Sequence, residues 1–274
     1  MTIPASGGGA PLPTFFIPHG AGPCFFMDWT QGRPDEWDRT GDFLKGLRGA
    51  LDQKPKAIVV ISGHWEAAQF TVASGPRPSL IYDYGGFPAH TYQLKYDAPG
   101  DPALAQRIRD LLSEQGIASA ADPGRGWDHG VFIPFKLIFP DADVPVVQLS
   151  LKVGLDPAEH MAAGRALAPL RDEGVLIVGS GMSFHNMRGF GDPRFGPVSD
   201  QFDAWLTQTV EAPAAERDQG LARWADAPAG RLAHPREEHL LPLMVAEGAA
   251  GGDPGGRVFS DRAMDVTLSA YRFG

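Results

Sequence analysis

Ile58-Val59-Val60-Ile61 is a continuous β-branched run, and VPVVQLSL at 144–151 and GVLIVGSG at 174–181 are two more buried-strand candidates. A strand with one face in water alternates apolar and polar side chains. An unbroken β-branched run is satisfied only when both faces of the strand are covered. Two shorter runs, TFFIPHG at 14–20 and QFTVASG at 69–75, read as further strands. The end of the chain, 262–274, reads as a terminal strand with Val266, Leu268 and Ala270 in alternation. Helical signals lie between them. Asp101-Pro102 opens a helix that Gly116 ends, and Asp156-Pro157 opens one that runs to Gly174. Ser199 is a candidate cap for 200–211, where Phe202, Trp205, Leu206 and Val210 share a face. A last helix is expected over 235–248, with Pro242 implying a kink or a short first turn. Strands alternating with helices specify an α/β fold, a single domain whose central, mostly parallel or mixed sheet is flanked by helices.

Composition narrows the class of partner. The 274 residues include 24 Lys+Arg against 33 Asp+Glu, a formal net charge of -9. That balance argues against nucleic acid or an anionic membrane surface, since both require clustered cations. No apolar run reaches the ~18 residues of a membrane span. The N-terminal stretch has neither basic residue nor apolar core, so it does not read as a secretory signal. Residues 1–13 are expected to be a flexible leader, and 14–274 the folded domain. The lone cysteine, Cys24, has no partner for an internal disulfide and reads as packing, which fits a cytoplasmic location.

The chemistry-bearing residues are histidines. Of the eight, His19, His64 and His185 each stand at or just past the carboxyl end of an expected strand, and each is accompanied by glycine. Ligands of open α/β sheets bind outside that edge. Three strands delivering imidazole to one edge point to a metal site, and iron, zinc, copper and nickel all accept such ligands. His239, next to Glu238 in AHPREEHLLPL, is a fourth candidate. His129, in the glycine-flanked GWDHG with Asp128 beside it, is a fifth. His234 reads as a helix cap and His160 as a solvated surface residue. No P-loop, Cys-x-x-Cys or Gly-x-Ser-x-Gly motif is present.

Read in order, IPHGAGP, VVISGHWE, YDYGGFPAHTYQLKYDAPGDPALAQRI, GWDHGVFIPFKLIFPDADVPVVQLSL, LIVGSGMSFHN and HPREEHLLPL resemble the class III extradiol ring-cleaving dioxygenases, in the DOPA 4,5-dioxygenase branch. The resemblance runs over roughly 14–273. It implies Fe(II) as the metal needed for activity, with Zn(II) a frequent occupant of purified protein. It implies His19, His64 and His239 as ligands, Glu238 being a partner of the third or its alternative. It assigns acid/base work to His185 and a place facing the substrate to His129. Tyr82, Tyr84, Phe87 and His90 become candidates for walling an aromatic ring. The partners so implied are a small aromatic diol and O2, for a monomer or small homo-oligomer. Two other readings use the same residues: a zinc-dependent hydrolase on three histidines, and a non-catalytic binding protein on the same scaffold.

Overall fold

The computed structural model describes residues 10–274. Of the expected leader, residues 1–9 lie outside the described residues. Leu12 is already buried, donating its N–H to the Arg171 carbonyl oxygen and accepting from the Arg171 guanidinium. An eight-stranded sheet runs through the domain: β1 (Thr14–Pro18), β2 (Ala57–Ala67), β3 (Phe70–Ala73), β4 (Ser119–Asp122), β5 (Val146–Lys152), β6 (Val175–Gly181), β7 (Gly255–Ala263) and β8 (Val266–Phe273). Their order is β4-β3-β5-β2-β6-β1-β8-β7. The central four, β5, β2, β6 and β1, are parallel, so their carboxyl ends share one edge. β3, β8 and β7 are joined antiparallel outside them, and the sheet is mixed.

The unbroken apolar runs are these central strands. Along them, successive side chains enter opposite cores. Val59, Ile61, Val147, Leu149 and Ile177 face helices Pro102–Glu114, Pro157–Leu167, Gly196–Glu211 and Leu241–Ala249. Ile58, Val60, Val146, Leu176 and Val178 face helices Asp38–Leu47 and His129–Ile138. β4 and β7 were not expected from the sequence, because both are short or half exposed and carry no apolar signature.

Several local expectations are corrected. The last helix begins at Leu241, not at 235, and Pro242 occupies its first turn, where its missing N–H costs nothing. Residues 235–240 are therefore turn, not helix. Ser199 lies inside its helix and bonds the Gly196 carbonyl oxygen rather than capping. His160 is fully buried: its Nδ1–H donates to the Asp156 carbonyl oxygen and its Nε2 accepts from the Lys152 N–H, which ties helix to strand. His234 is also fully buried, and its Nε2–H donates to the Ser183 carbonyl oxygen. A fully paired or sheltered imidazole packs like any flat ring, and sequence position alone does not reveal it.

Candidate metal centre and substrate cavity

Three histidines converge at the shared carboxyl edge. His19 follows β1 directly, and its N–H donates to the Gly181 carbonyl oxygen of β6. Gly20, at φ 81°, turns the chain away in the left-handed region that a side chain disfavours. His64 lies inside β2, where pairing with β5 is interrupted between Ile61 and Glu66. Such an irregularity re-aims a side chain that a regular pleat would point elsewhere. Ser62 Oγ accepts the His64 N–H and donates to buried Asp128. His239 arrives from far along the chain. Its carbonyl oxygen accepts the Met182 N–H, just past β6. A Cβ on Gly181 would overlap that same carbonyl, so glycine is what lets the His239 turn lie directly on the strand.

The three ring nitrogens converge. His64 Nε2 lies 3.2 Å from His19 Nε2 and 3.2 Å from His239 Nε2. The outer nitrogens explain why. His19 Nδ1 is 2.9 Å from the Gly20 carbonyl oxygen, so it must be the protonated nitrogen. His239 Nδ1 lies 3.1 Å from Glu238 Oε1 and is likewise the donor. Both rings thus turn an unprotonated Nε2 toward His64. Two inward lone pairs meeting a third Nε2 make a donor set that fits a divalent metal, and the outer hydrogen bonds orient the His19 and His239 rings. Glu238 stands outside this trio. Its carboxylate belongs with His185 and His239, and Oε1 is 3.4 Å from His185 Nδ1.

Electrostatics keep these ring nitrogens available. Burial, with the neighbouring imidazoles adding to it, holds His19 and His239 well below the usual histidine range. Burial and then His129 push His64 down to about 4. All three are neutral near pH 7, the form that binds a metal. Burial would raise Glu238, but hydrogen bonds from His185 and His239 outweigh it and keep the carboxylate ionised.

Two further histidines face the same space. His185 follows β6 in a longer excursion, and its ring stacks on His239 with centroids 3.3 Å apart. His129 was expected in a loop; it is instead the first residue of its helix, with Asp128 as the N-cap residue. Asp128 does not orient it. Asp128 is buried beneath the site, accepting from Ser62, Gln148 and Arg125. The partner of His129 is Asp83, whose Oδ1 accepts both the His129 N–H at 2.9 Å and its Nδ1–H at 2.8 Å. Asp83 was missed from the sequence. It sits between two tyrosines singled out for their rings, and only the pairing of loop 79–81 with Trp127 brings it under His129.

A cavity of about 300 Å³ opens over these rings. His19, His64, His129 and His185 line its floor, and Tyr84, Phe87, Trp29, Trp37 and Phe190 its walls. Of the four residues expected to wall a ring, Tyr84 and Phe87 do so. Tyr82 and His90 do not. The Tyr82 hydroxyl donates to the Leu94 carbonyl oxygen and its ring packs edge-on against Phe132. His90 is exposed, with Nε2 bonded to the Phe26 carbonyl oxygen. Both are used in fastening their loop.

Comparison with known proteins places this geometry. The family model of the catalytic LigB subunit of aromatic ring-opening dioxygenase matches residues 13–270. The chain is 45% identical over 242 residues to the 4,5-DOPA dioxygenase extradiol of Beta vulgaris, covering 87% of each chain. It is 35% identical over 244 residues to the Escherichia coli K12 protein of the same description, covering 88% of this chain and 86% of the other. The crystal structure of an uncharacterized Escherichia coli K12 protein superposes with a TM-score of 0.77 at 30% identity, covering 96% of this chain and all of that one. Among the described residues no helix is long and apolar enough to cross a membrane.

Proposed function

The chain belongs to the LigB family of aromatic ring-opening dioxygenases, and from that membership we propose that it opens a DOPA-like catechol, or a related dihydroxyphenyl compound, at Fe(II) held by His19, His64 and His239. As an extradiol ring-opening dioxygenase it is an oxidoreductase. The observation that carries the proposal is the meeting of three imidazole Nε2 atoms at the carboxyl edge of the sheet. Three protein ligands leave coordination positions for both reactants. Bound there, the metal supplies chelation of two adjacent hydroxyl oxygens and a redox path to O2.

The rest of the chemistry falls to the protein's own groups. The cavity admits one aromatic ring: Tyr84, Phe87, Trp29 and Trp37 exclude water from its faces and rim. Ring opening requires a proton removed from a hydroxyl and later returned to oxygen. His185, with Nδ1 toward Glu238, is free to turn Nε2 to the substrate and perform that transfer. His129, with Nδ1–H committed to Asp83, presents Nε2 as a hydrogen-bond acceptor for a substrate hydroxyl. Relatives described as 4,5-DOPA dioxygenase extradiol support a dihydroxyphenyl substrate. The test is anaerobic reconstitution with Fe(II) followed by a catechol panel in air, read as oxygen uptake and as the absorbance of a ring-opened product. Absence of oxygen uptake with every catechol in the iron-loaded protein refutes the proposal.

A further inference from the structure

Beside the ring cavity lies a second groove of about 540 Å³. The two share His185 and Met187, so an occupant of the first can extend past those side chains into the second. The groove is unusual for this acidic protein, because three arginines line it: Arg188, Arg231 and Arg236. Two are already neutralised. Arg231 pairs with Glu237 at 2.6 Å, and Arg236 pairs with Glu66 at 2.7 Å and Glu238 at 3.3 Å. Arg188 is not. Its guanidinium makes no ion pair and no hydrogen bond among the described residues, although its backbone is held firmly. Its N–H donates to Asn186 Oδ1, Asn186 Nδ2 donates to the Leu232 carbonyl oxygen, and the His185 N–H donates to the Ala233 carbonyl oxygen.

We propose that Arg188 is the recognition residue for a carboxylate carried on a short side chain of the substrate. The inference rests on the catechol reading of the adjacent cavity and adds the substrate's second determinant. A ring seated among Tyr84, Phe87 and the histidines can carry its substituent past Met187, which lines both spaces. Met187 and Leu232 are 71% and 55% exposed, an apolar bed on which two or three methylene carbons can lie. A carboxylate at the end of such a tail reaches the one arginine of the groove that has no counter-ion among the described residues. Glu238, the anion of the groove, does not oppose this: it is engaged by His239, His185 and Arg236. Guanidinium and carboxylate match as a fork of parallel hydrogen bonds, which an uncharged tail of the same length does not satisfy.

The experiment compares two probes that differ only at the tail: 3-(3,4-dihydroxyphenyl)propionate and 4-ethylcatechol. Their affinities for the iron-loaded protein are measured anaerobically by calorimetry, and their turnover is measured in air. Arg188→Gln is expected to lower the preference for the propionate by about ten- to hundred-fold, the range for one charged hydrogen-bonding partner. Arg188→Lys should recover part of it. Arg231→Gln, at an arginine already paired, should change the preference less than two-fold. An unchanged preference in Arg188→Gln, or a larger loss in Arg231→Gln, overturns the assignment. Arg188-dependent binding of the propionate with neither probe turned over refutes the catechol-cleavage reading and upholds the anion subsite. Turnover of both probes with Arg188-independent affinities does the reverse.

Discussion

Replacing Glu238 by glutamine separates a ligand from a partner of a ligand. Glu238 and His239 are neighbours in sequence, and a family-type site with two histidines and a carboxylate would use the acid. In the structure Glu238 Oε1 lies 3.1 Å from His239 Nδ1, 3.4 Å from His185 Nδ1 and, through Oε2, 3.3 Å from Arg236. It is His239 Nε2 that joins the convergent set, 3.2 Å from His64 Nε2. Glutamine keeps the shape and one acceptor oxygen but removes the charge. What is lost is charge assistance in the hydrogen bond that fixes the His239 tautomer, a change of about 1–1.5 kcal/mol, the difference between a charged and a neutral acceptor. Outer partners of ligating histidines typically contribute about 10–100-fold in metal affinity or activity. Metal competition against a chelator should therefore show Glu238→Gln weakened by about 10–100-fold yet still binding one metal per chain at saturation. His239→Ala should hold no stoichiometric metal. If Glu238→Gln binds no metal while His239→Ala retains a full equivalent, the tautomer argument is wrong and the carboxylate is the third ligand.

Other expectations follow from the same geometry. His185→Gln should keep its metal and bind catechol but lose about 10²–10⁴-fold in turnover, mainly in kcat; near-wild-type kcat would move the proton-transfer role to His129. The iron-loaded protein should take up oxygen with a catechol and the zinc-loaded protein should not, because zinc has no accessible redox step; equal uptake by both would reject the redox chemistry. Stability of the metal-free protein should fall at mild acid. Burial pushes His234 down to about 3, whereas the unfolded chain protonates it near 6.5. The unfolded state then binds the extra proton between those values, so His234 is neutral to stability above about pH 6.5 and destabilises progressively as pH falls toward 3. His160, His19, His64 and His239 act in the same direction. Urea denaturation at pH 7.5, 6 and 5 checks this, and an unchanged midpoint across the series contradicts it.

The sequence by itself determined the fold class and the edge at which the histidines gather. Unbroken runs such as Ile58–Ile61 have no stable place except a strand covered on both faces, and this property is local. His19 and His64 were legible for the same reason: each is tied to the end of such a run, and the direction of a buried strand decides where its next residues emerge. His239 was a fourth candidate from the sequence whose place as third ligand came from resemblance, and the helix expected around it was wrong, because Pro242 suits a first turn better than an interior. Tertiary structure alone decided what depends on chain segments meeting. His239 Nε2 faces His64 across 175 residues of sequence because Gly181 lets one backbone lie on another. Asp83 finds His129 only after loop 79–81 pairs with Trp127. His160 looks like a surface histidine and His234 like a helix cap until packing encloses them. A hydrophobic run states its own burial through its solvation cost. A polar side chain acquires its role from whichever partner the fold places within about 3 Å, and that partner is seldom a neighbour in sequence.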